Sequence, residues 1–326
     1  MSQREQLQKL LDLIDEKILF FQEQTILATD PKAIFALNKQ IEKDKAERSK
    51  IEQQMSDVEA KACSEALYDA LIKLGYREQV RSFKKFQQTP SIKAFLIHGY
   101  PEYGQSWLLN RLMTQHILFG TSGKAIRIEL DRLGRKRDIG ALWRELGRRV
   151  GLEQHSPTEI AERVFQCWKT QNVILILHYV DCMPEAYLQE LLQEFWLPLA
   201  SKPRKEVSQD HQFQLLMFLV DYEGRVGCGN TMFVERLEPT WEPRIPIKLP
   251  ALAPFGDRTL TDWIETVETD KEFDTLPLIK EINKWDDPAQ VILDKTENGI
   301  PELVFSEICK MCGCNWYEEK DRWLKH

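Results

Sequence analysis

Ala94 to Leu109 reads A-F-L-I-H-G-Y-P-E-Y-G-Q-S-W-L-L, and the parsing of this stretch decides the fold. A short apolar run, Ala94 to Ile97, stops at Gly99. A loop with Pro101 and Gly104 follows, and a helical pattern opens at Ser106, carrying Trp107, Leu108, Leu109 and Leu112 inward. Strand, glycine loop, helix is the context that gives the spacing G-x-x-x-x-G-K-[ST] its meaning, because loop N–H groups and a helix N-terminus then cradle phosphate. Gly99, Gly104 and Ser106 hold their places in that spacing, but Gln105 stands where the lysine belongs. Its amide can donate a neutral hydrogen bond and brings no positive charge; bonds to charged groups contribute about 1.5–3 kcal/mol against about 1 kcal/mol for neutral ones. Glu102 also puts a carboxylate inside the loop. Weak nucleotide binding is compatible with these residues, and efficient hydrolysis is not. The competing reading is an ordinary strand-to-helix turn whose glycines only satisfy backbone geometry.

Outward from this stretch, apolar strand candidates alternate with helical patterns, as a parallel sheet with helices on both faces requires. The strands are Ala94–His98, Ala125–Leu130, Val173–Val180, Gln214–Asp221 and Pro246–Leu252; the helices lie near Ser106–Phe119, Ile139–Val150, Pro157–Thr170 and Pro184–Leu199. The fold expected is α/β, a doubly wound, P-loop NTPase-like sheet.

The second half of a nucleotide-hydrolysing site belongs at the end of the third strand, where a carboxylate holds Mg²⁺ and another orients the attacking water. Here Val173 to Leu177 is followed by His178 and Tyr179, and the carboxylate arrives only at Asp181. As a metal ligand, Asp181 would sit three residues further out than expected, in a loop. Two catalytic positions are thus altered together, which argues against a hydrolase. His178 is chemically able to serve as a base or a metal ligand. The reading favoured for a histidine ending a buried strand is a hydrogen-bonded structural residue.

Residues 1 to about 60 read as a helical hairpin. Leu7, Leu11, Ile14, Ile18 and Phe21 form one apolar stripe; Ile34, Leu37, Ile41, Ile51, Met55 and Val58 form the other, with Asp44 and Arg48 on the same seam. Between them Asp30 can cap a helix that has Pro31 at its first position. A hairpin of this size buries little by itself, so it reads either as a self-contained stalk or as a docking module that gains from a partner. The charged, glycine-free stretch from Glu52 to Lys61 is expected to continue as helix, and a further helical region runs from Ser64 to Phe86.

Toward the C-terminus, Asp287-Pro288 starts a helix that Gly299 ends, and Pro301 to Met311 forms another, broken at Gly313. Cys309, Cys312 and Cys314 spell C-x-x-C-x-C with only His326 nearby; zinc sites want a fourth ligand, so the cysteines read as core residues. Gly227-Cys228-Gly229 is too short for a phosphate loop, and residues 201–212 read as a surface loop. A basic cluster runs through Arg127, Arg132, Arg135-Lys136-Arg137, Arg144 and Arg148-Arg149, diluted by Glu129, Asp131, Asp138 and Glu145. A net charge of −7 disfavours a general nucleic-acid binder and favours a solvated face for this cluster. With 43% apolar and 29% charged residues the chain is globular, its apolar runs are too short to span a bilayer, and seven cysteines with no apolar leader point to a cytoplasmic protein.

These pieces resemble the STAND class of P-loop signalling ATPases, and most of all the bacterial branch of inactive STAND domains. The matching segments are L-G-Y-R-E-Q-V-R-S-F (Leu74–Phe83), H-G-Y-P-E-Y-G-Q-S-W-L-L-N-R-L (His98–Leu112) and V-I-L-I-L-H-Y-V-D (Val173–Asp181). L-P-A-L-A-P-F-G-D-R-T-L-T-D-W-I (Leu249–Ile264) and P-E-L-V-F-S-E-I-C-K-M-C-G-C-N-W-Y (Pro301–Tyr317) are similar to the segment leading into the helical lid and to the C-terminus of that branch. The resemblance runs from about Leu67 to the end, and the loop with glutamine for lysine is its most specific part. More loosely, the hairpin resembles the effector-associated helical modules fused to such domains.

The resemblance implies a docking hairpin at 1–62, a degenerate STAND core at 63–254 and a helical, lid-like C-terminal region at 255–326. It implies a non-catalytic regulator or adaptor of a bacterial conflict system, coupled to a protein effector or matching helical module through residues 1–62. No cofactor or metal is expected, and ATP or ADP would bind weakly at Gly99, Gly104, Gln105, Ser106, His178 and Asp181 if at all. The alternatives are a divergent nucleotide-binding switch and a nucleic-acid-binding regulator that uses the Arg132–Arg149 cluster.

Overall fold

Residues 3–87, 92–117, 123–134, 138–153, 156–202, 213–226, 232–235, 242–274 and 276–324 are described by the computed structural model. Apolar runs bounded by glycine, proline and polar residues become five parallel strands: β1 (Ile92–His98), β2 (Gly123–Glu129), β3 (Asn172–His178), β4 (Leu215–Asp221) and β5 (Ile247–Lys248). Their order is β2-β3-β4-β1-β5. β3 and β4 are central and buried along nearly their whole length, whereas β2 lies at an edge and alternates between exposed and buried positions. β5 is shorter than the apolar run Pro246–Leu252. Leu249 and Leu252 still donate to Leu96 and His98 of β1, but Pro250 between them has no N–H and the regular ladder ends.

The chain divides into two compact units: Met1–Leu71 with Val267–Lys280, and Ile72–Thr266 with Glu281–His326. In the first, α1 (Gln3–Leu27) and α2 (Pro31–Leu71) form an antiparallel hairpin. The pairs Arg4–Glu59, Asp15–Arg48 and Lys17–Asp44 climb one helix while descending the other. Asp30 accepts from the Lys32 N–H at the start of α2. The apolar seam is thin: Ile14, Ile18, Ile41 and Ile51, with Leu7, Leu11 and Phe21 partly buried against them. In its middle Asp44 is 1% exposed, and one of its oxygens accepts from Lys17 Nζ at 3.1 Å and Gln40 Nε2 at 2.9 Å. The helix expected to continue beyond Glu52 does so to Leu71, past residue 62.

In the second unit the helical region expected from Ser64 to Phe86 is interrupted. Gly75 and Tyr76 both take positive φ (68° and 51°), and α3 (Arg77–Gln87) starts afresh. α3 seats Phe83 and Phe86 on Phe95 of β1, which stacks on Phe218 of β4. The period of two along the strands sends Ala94, Leu96, Leu175, Leu177, Met217 and Leu219 to one apolar cluster. α6 (Ile139–Val150) and α7 (Pro157–Trp168) cover that cluster with Leu142, Leu146, Ile160, Val164, Phe165 and Trp168. α4 (Gln105–Gln115) follows β1, and α5 (Leu130–Gly134) is a short turn of helix after β2. α8 (Glu185–Glu190) passes through a π-helical segment (Leu191–Trp196) into α9 (Leu197–Ser201). The remaining helices are α10 (Asp257–Thr269), α11 (Pro277–Ile282), α12 (Pro288–Lys295), α13 (Pro301–Met311) and α14 (Trp316–Trp323). Asp287 caps α12 by accepting from the Gln290 N–H, and Gly299 turns the chain at φ 88° toward α13.

Candidate functional site

The ends of three neighbouring strands set the site. The register pairs His98 of β1 with Asp221 of β4, and His178 of β3 with Val220, so their carboxyl ends finish level. Gly104 enters α4 in the left-handed region (φ 77°, ψ 37°), which a side chain disfavours. A Cβ there would also collide with the Tyr76 hydroxyl, which donates to the Tyr103 carbonyl at 2.8 Å. Glu102 holds a positive φ of 66°, and its carbonyl accepts from the Glu302 N–H at 3.0 Å. The loop is therefore pinned by the residue preceding α3 and by the first turn of α13.

Gln105 is 2% exposed. Its amide nitrogen donates to the carbonyls of Gly99 at 3.0 Å and Tyr100 at 2.9 Å. An amide NH₂ has two hydrogens, so both are spent on the loop's own backbone. The side chain that replaces the lysine closes the loop on itself.

Ser106, His178 and Asp181 are brought together by a residue that no motif singles out. Tyr222, one position past β4, lies 2.7 Å through its hydroxyl from Ser106 Oγ and 2.7 Å from His178 Nδ1. Its backbone N–H donates to Asp181 Oδ1 at 2.8 Å. His178 is 3% exposed, and its ring lies nearly parallel to that of Tyr222. Burial pushes the Tyr222 phenol well above its ordinary pKa, so it remains a neutral O–H that donates and accepts. In a working site the P-loop hydroxyl holds Mg²⁺. Here it meets the Tyr222 phenol, which in turn meets the His178 imidazole, with no cation in the loop and no carboxylate ending β3; these residues do not fit a Mg²⁺–nucleotide pair. The expected displacement of Asp181 is visible: it sits in the turn Val180–Cys182, and one oxygen is already used on the Tyr222 backbone.

Two further contacts fix this arrangement. The fully buried Asp221 accepts backbone N–H bonds from Glu223, Gly224 and Val226, and burial still raises its pKa despite them. At Gly224, with φ 68°, a Cβ would lie 3.2 Å from the Gly99 carbonyl, so the turn after β4 abuts the loop. On α4, Trp107 is fully buried against Trp316, Phe305 and Trp323, with ring centroids 5.2, 5.4 and 5.9 Å away. Glu302 accepts from Trp316 Nε1 at 2.6 Å and from Lys320 Nζ at 2.7 Å. Gly99, Gly104 and Gln105 thus belong to a packed junction.

The other sequence candidates are placed as follows. Arg132 pairs with Glu129, Arg144 with Asp138, and Arg148 and Arg149 with Glu145. Arg135-Lys136-Arg137, Gly227-Cys228-Gly229, residues 203–212 and His326 lie outside the described residues. The Cys314 thiol donates to the Cys309 carbonyl at 3.2 Å, and the neighbouring Cys314, together with burial, raises the Cys309 thiol. Among the described residues no group of three His, Cys, Asp or Glu side chains is placed to hold a metal, and no helix is long and apolar enough to cross a membrane.

An all-parallel sheet in this order, with a glycine loop leading from β1 into α4, defines a P-loop NTPase-like α/β domain. Residues 71–220 match the family model described as inactive STAND. A comparison with curated proteins finds no match.

Proposed function

We propose that the protein is a non-catalytic, STAND-like regulator or adaptor of a bacterial conflict system. Its N-terminal hairpin docks a matching helical module of an effector protein. The observation that supports the docking role is the surface of the hairpin. Ile26 (83% exposed), Leu27 and Phe35 (72% exposed) flank its turn, and Phe20, Leu13 and Leu19 continue the exposed apolar set along α1. Large apolar side chains gathered in one region mark an interaction surface, and an amphipathic helix is the partner whose apolar face fits one. The non-catalytic role rests on the self-satisfied loop, in which Gln105 and Tyr222 take the hydrogen bonds that a nucleotide and its metal would need.

Two measurements test this reading. Calorimetry of the full chain with Mg²⁺ and ATP or ADP is expected to show no turnover and no binding that Ser106→Ala weakens; micromolar binding lost in Ser106→Ala would restore the nucleotide-switch reading. A photo-crosslinking residue at Phe35 in host cells is expected to trap an effector that carries a helical hairpin of its own, and deletion of residues 1–62 should abolish partner binding. Binding that survives the deletion removes the docking role.

A further inference from the structure

One face of α3 carries cations at helical spacing: Arg77, Arg81, Lys84 and Lys85. Together with Arg111 of α4 and the apolar Val80 they line a cavity of about 410 Å³. Among the described residues, five of the six that line it are Lys or Arg and none is acidic; Arg77 also pairs with Asp262 at 2.5 Å. Arg111 donates from one terminal nitrogen to the carbonyls of Leu74 and Gly75, while its buried Nε finds no hydrogen-bond partner among the described residues. Burial lowers Arg111 to about 10, and the Arg77 charge acts in the same direction. His116, close enough to feel Lys84 and Arg111, is likewise lowered, chiefly by burial.

A cavity of similar size, about 420 Å³, lies among Arg127, Arg132, Arg148 and Arg149, but Glu129 and Glu145 line it too, each paired with two of those arginines, and offset part of their charge. The α3–α4 cavity has no such internal compensation. Gathering like charges in a concave site raises the local concentration of anions, and the repulsion between those charges is relieved when an anion sits among them. Arginine forks match phosphate oxygens bidentately. The volume falls in the range of small-molecule sites, about 300–1,000 Å³.

We propose that the α3–α4 cavity binds a small, multiply charged phosphate compound, held chiefly by Arg81, Lys84 and Arg111. This site is separate from the loop at Gly99–Gly104 and independent of the docking role. It assigns the chain an anionic ligand that its degenerate loop is not built to hold.

The test is calorimetry on the full chain with inorganic tripolyphosphate at low and high salt. Tripolyphosphate is expected to bind at low salt and to weaken as salt rises. The exposed double variant Arg81→Glu/Lys84→Glu should weaken binding at least about tenfold, a loss near 1.4 kcal/mol. Lys84→Gln should weaken it less, and Arg148→Glu in the compensated cavity should leave it unchanged. Melting curves of each variant check that the fold is intact. ATP that binds at least as tightly as tripolyphosphate and is lost in the same double variant supports a nucleotide-sized occupant. No tripolyphosphate binding at millimolar concentration, or equal weakening by Arg148→Glu, overturns the proposal. So does single-stranded oligonucleotide binding that tripolyphosphate fails to displace, which would make the face a nucleic-acid surface.

Discussion

In the loop between β1 and α4 the polar groups end on other groups of the same chain. The Gln105 amide ends on two carbonyls, the Ser106 hydroxyl on Tyr222, and the Glu102 carbonyl on the Glu302 N–H. In the hairpin the opposite holds for apolar groups: Phe20, Ile26, Leu27 and Phe35 stand in solvent beside a seam built on four isoleucines. A ligand at the loop would have to displace internal hydrogen bonds before making its own, which sets a desolvation cost against binding. A partner at the hairpin would cover surface already unfavourable in water, at about 25 cal/mol per Å² of apolar area. The molecule keeps the strand–loop–helix of a nucleotide site with its polar groups bonded internally, and leaves large apolar side chains exposed on the hairpin.

The largest expected effect tests whether the loop is a packed junction. Trp107→Ala removes a fully buried indole, and denaturant unfolding is expected to show a loss of about 3–5 kcal/mol. A loss below about 1 kcal/mol would show that the aromatic cluster of Phe305, Trp316 and Trp323 does not bear on this helix.

The strand feeding the loop supplies the next test. Lys93 of β1 is almost wholly buried, and burial lowers its pKa from 10.5 to about 8. Between those values the unfolded chain binds more protons than the folded one, so stability is expected to rise as pH rises from about 8 to 10.5. Below pH 8 the folded state carries the cation at a cost, and Lys93→Met should flatten the rise in stability between about pH 8 and 10.5. A pH profile unchanged by the substitution would contradict the assignment.

Tyr222→Phe sharpens the comparison at the site itself. It removes the bridge between Ser106 and His178 and should cost about 1–3 kcal/mol, because both are left without that partner. If ATP affinity instead appears in this variant, the phenol is what closes the site.

The smallest stability effect belongs to the hairpin. Phe20→Ser, Ile26→Ser and Phe35→Ser should each change stability by no more than about 0.5 kcal/mol, since these side chains are exposed. The same substitutions should abolish effector capture. A large destabilisation would place them in a core and break the contrast.

The parts legible in the sequence are those whose signal is local. The strand–loop–helix around Gly99 and Gly104, the missing lysine, the late Asp181 and the start of α2 after Asp30 could all be read from spacing and residue chemistry, as could the stop before Gly313; α12 ends at Lys295, ahead of the turn at Gly299. The break at Gly75-Tyr76 was less readable, because Leu71, Leu74, Val80 and Phe83 sustain an apolar rhythm across it. Gly75 there faces the Phe255 ring, a contact made across a long stretch of chain.

By itself the sequence determined that a phosphate-type loop precedes a helix, that its cation is absent, and that five strands alternate with helices; each depends on neighbours in the chain. Tertiary structure alone decided what took the place of the missing groups. Tyr222 meets Ser106 and His178 because parallel register brings β1, β3 and β4 to a common edge. Arg111 joins the α3 cations because α4, which lies beyond β1 in the chain, borders the same cavity and its Arg111 reaches the Leu74 and Gly75 carbonyls ahead of α3. Both are non-local pairings, set by strand register and helix packing, and no spacing along the chain records them.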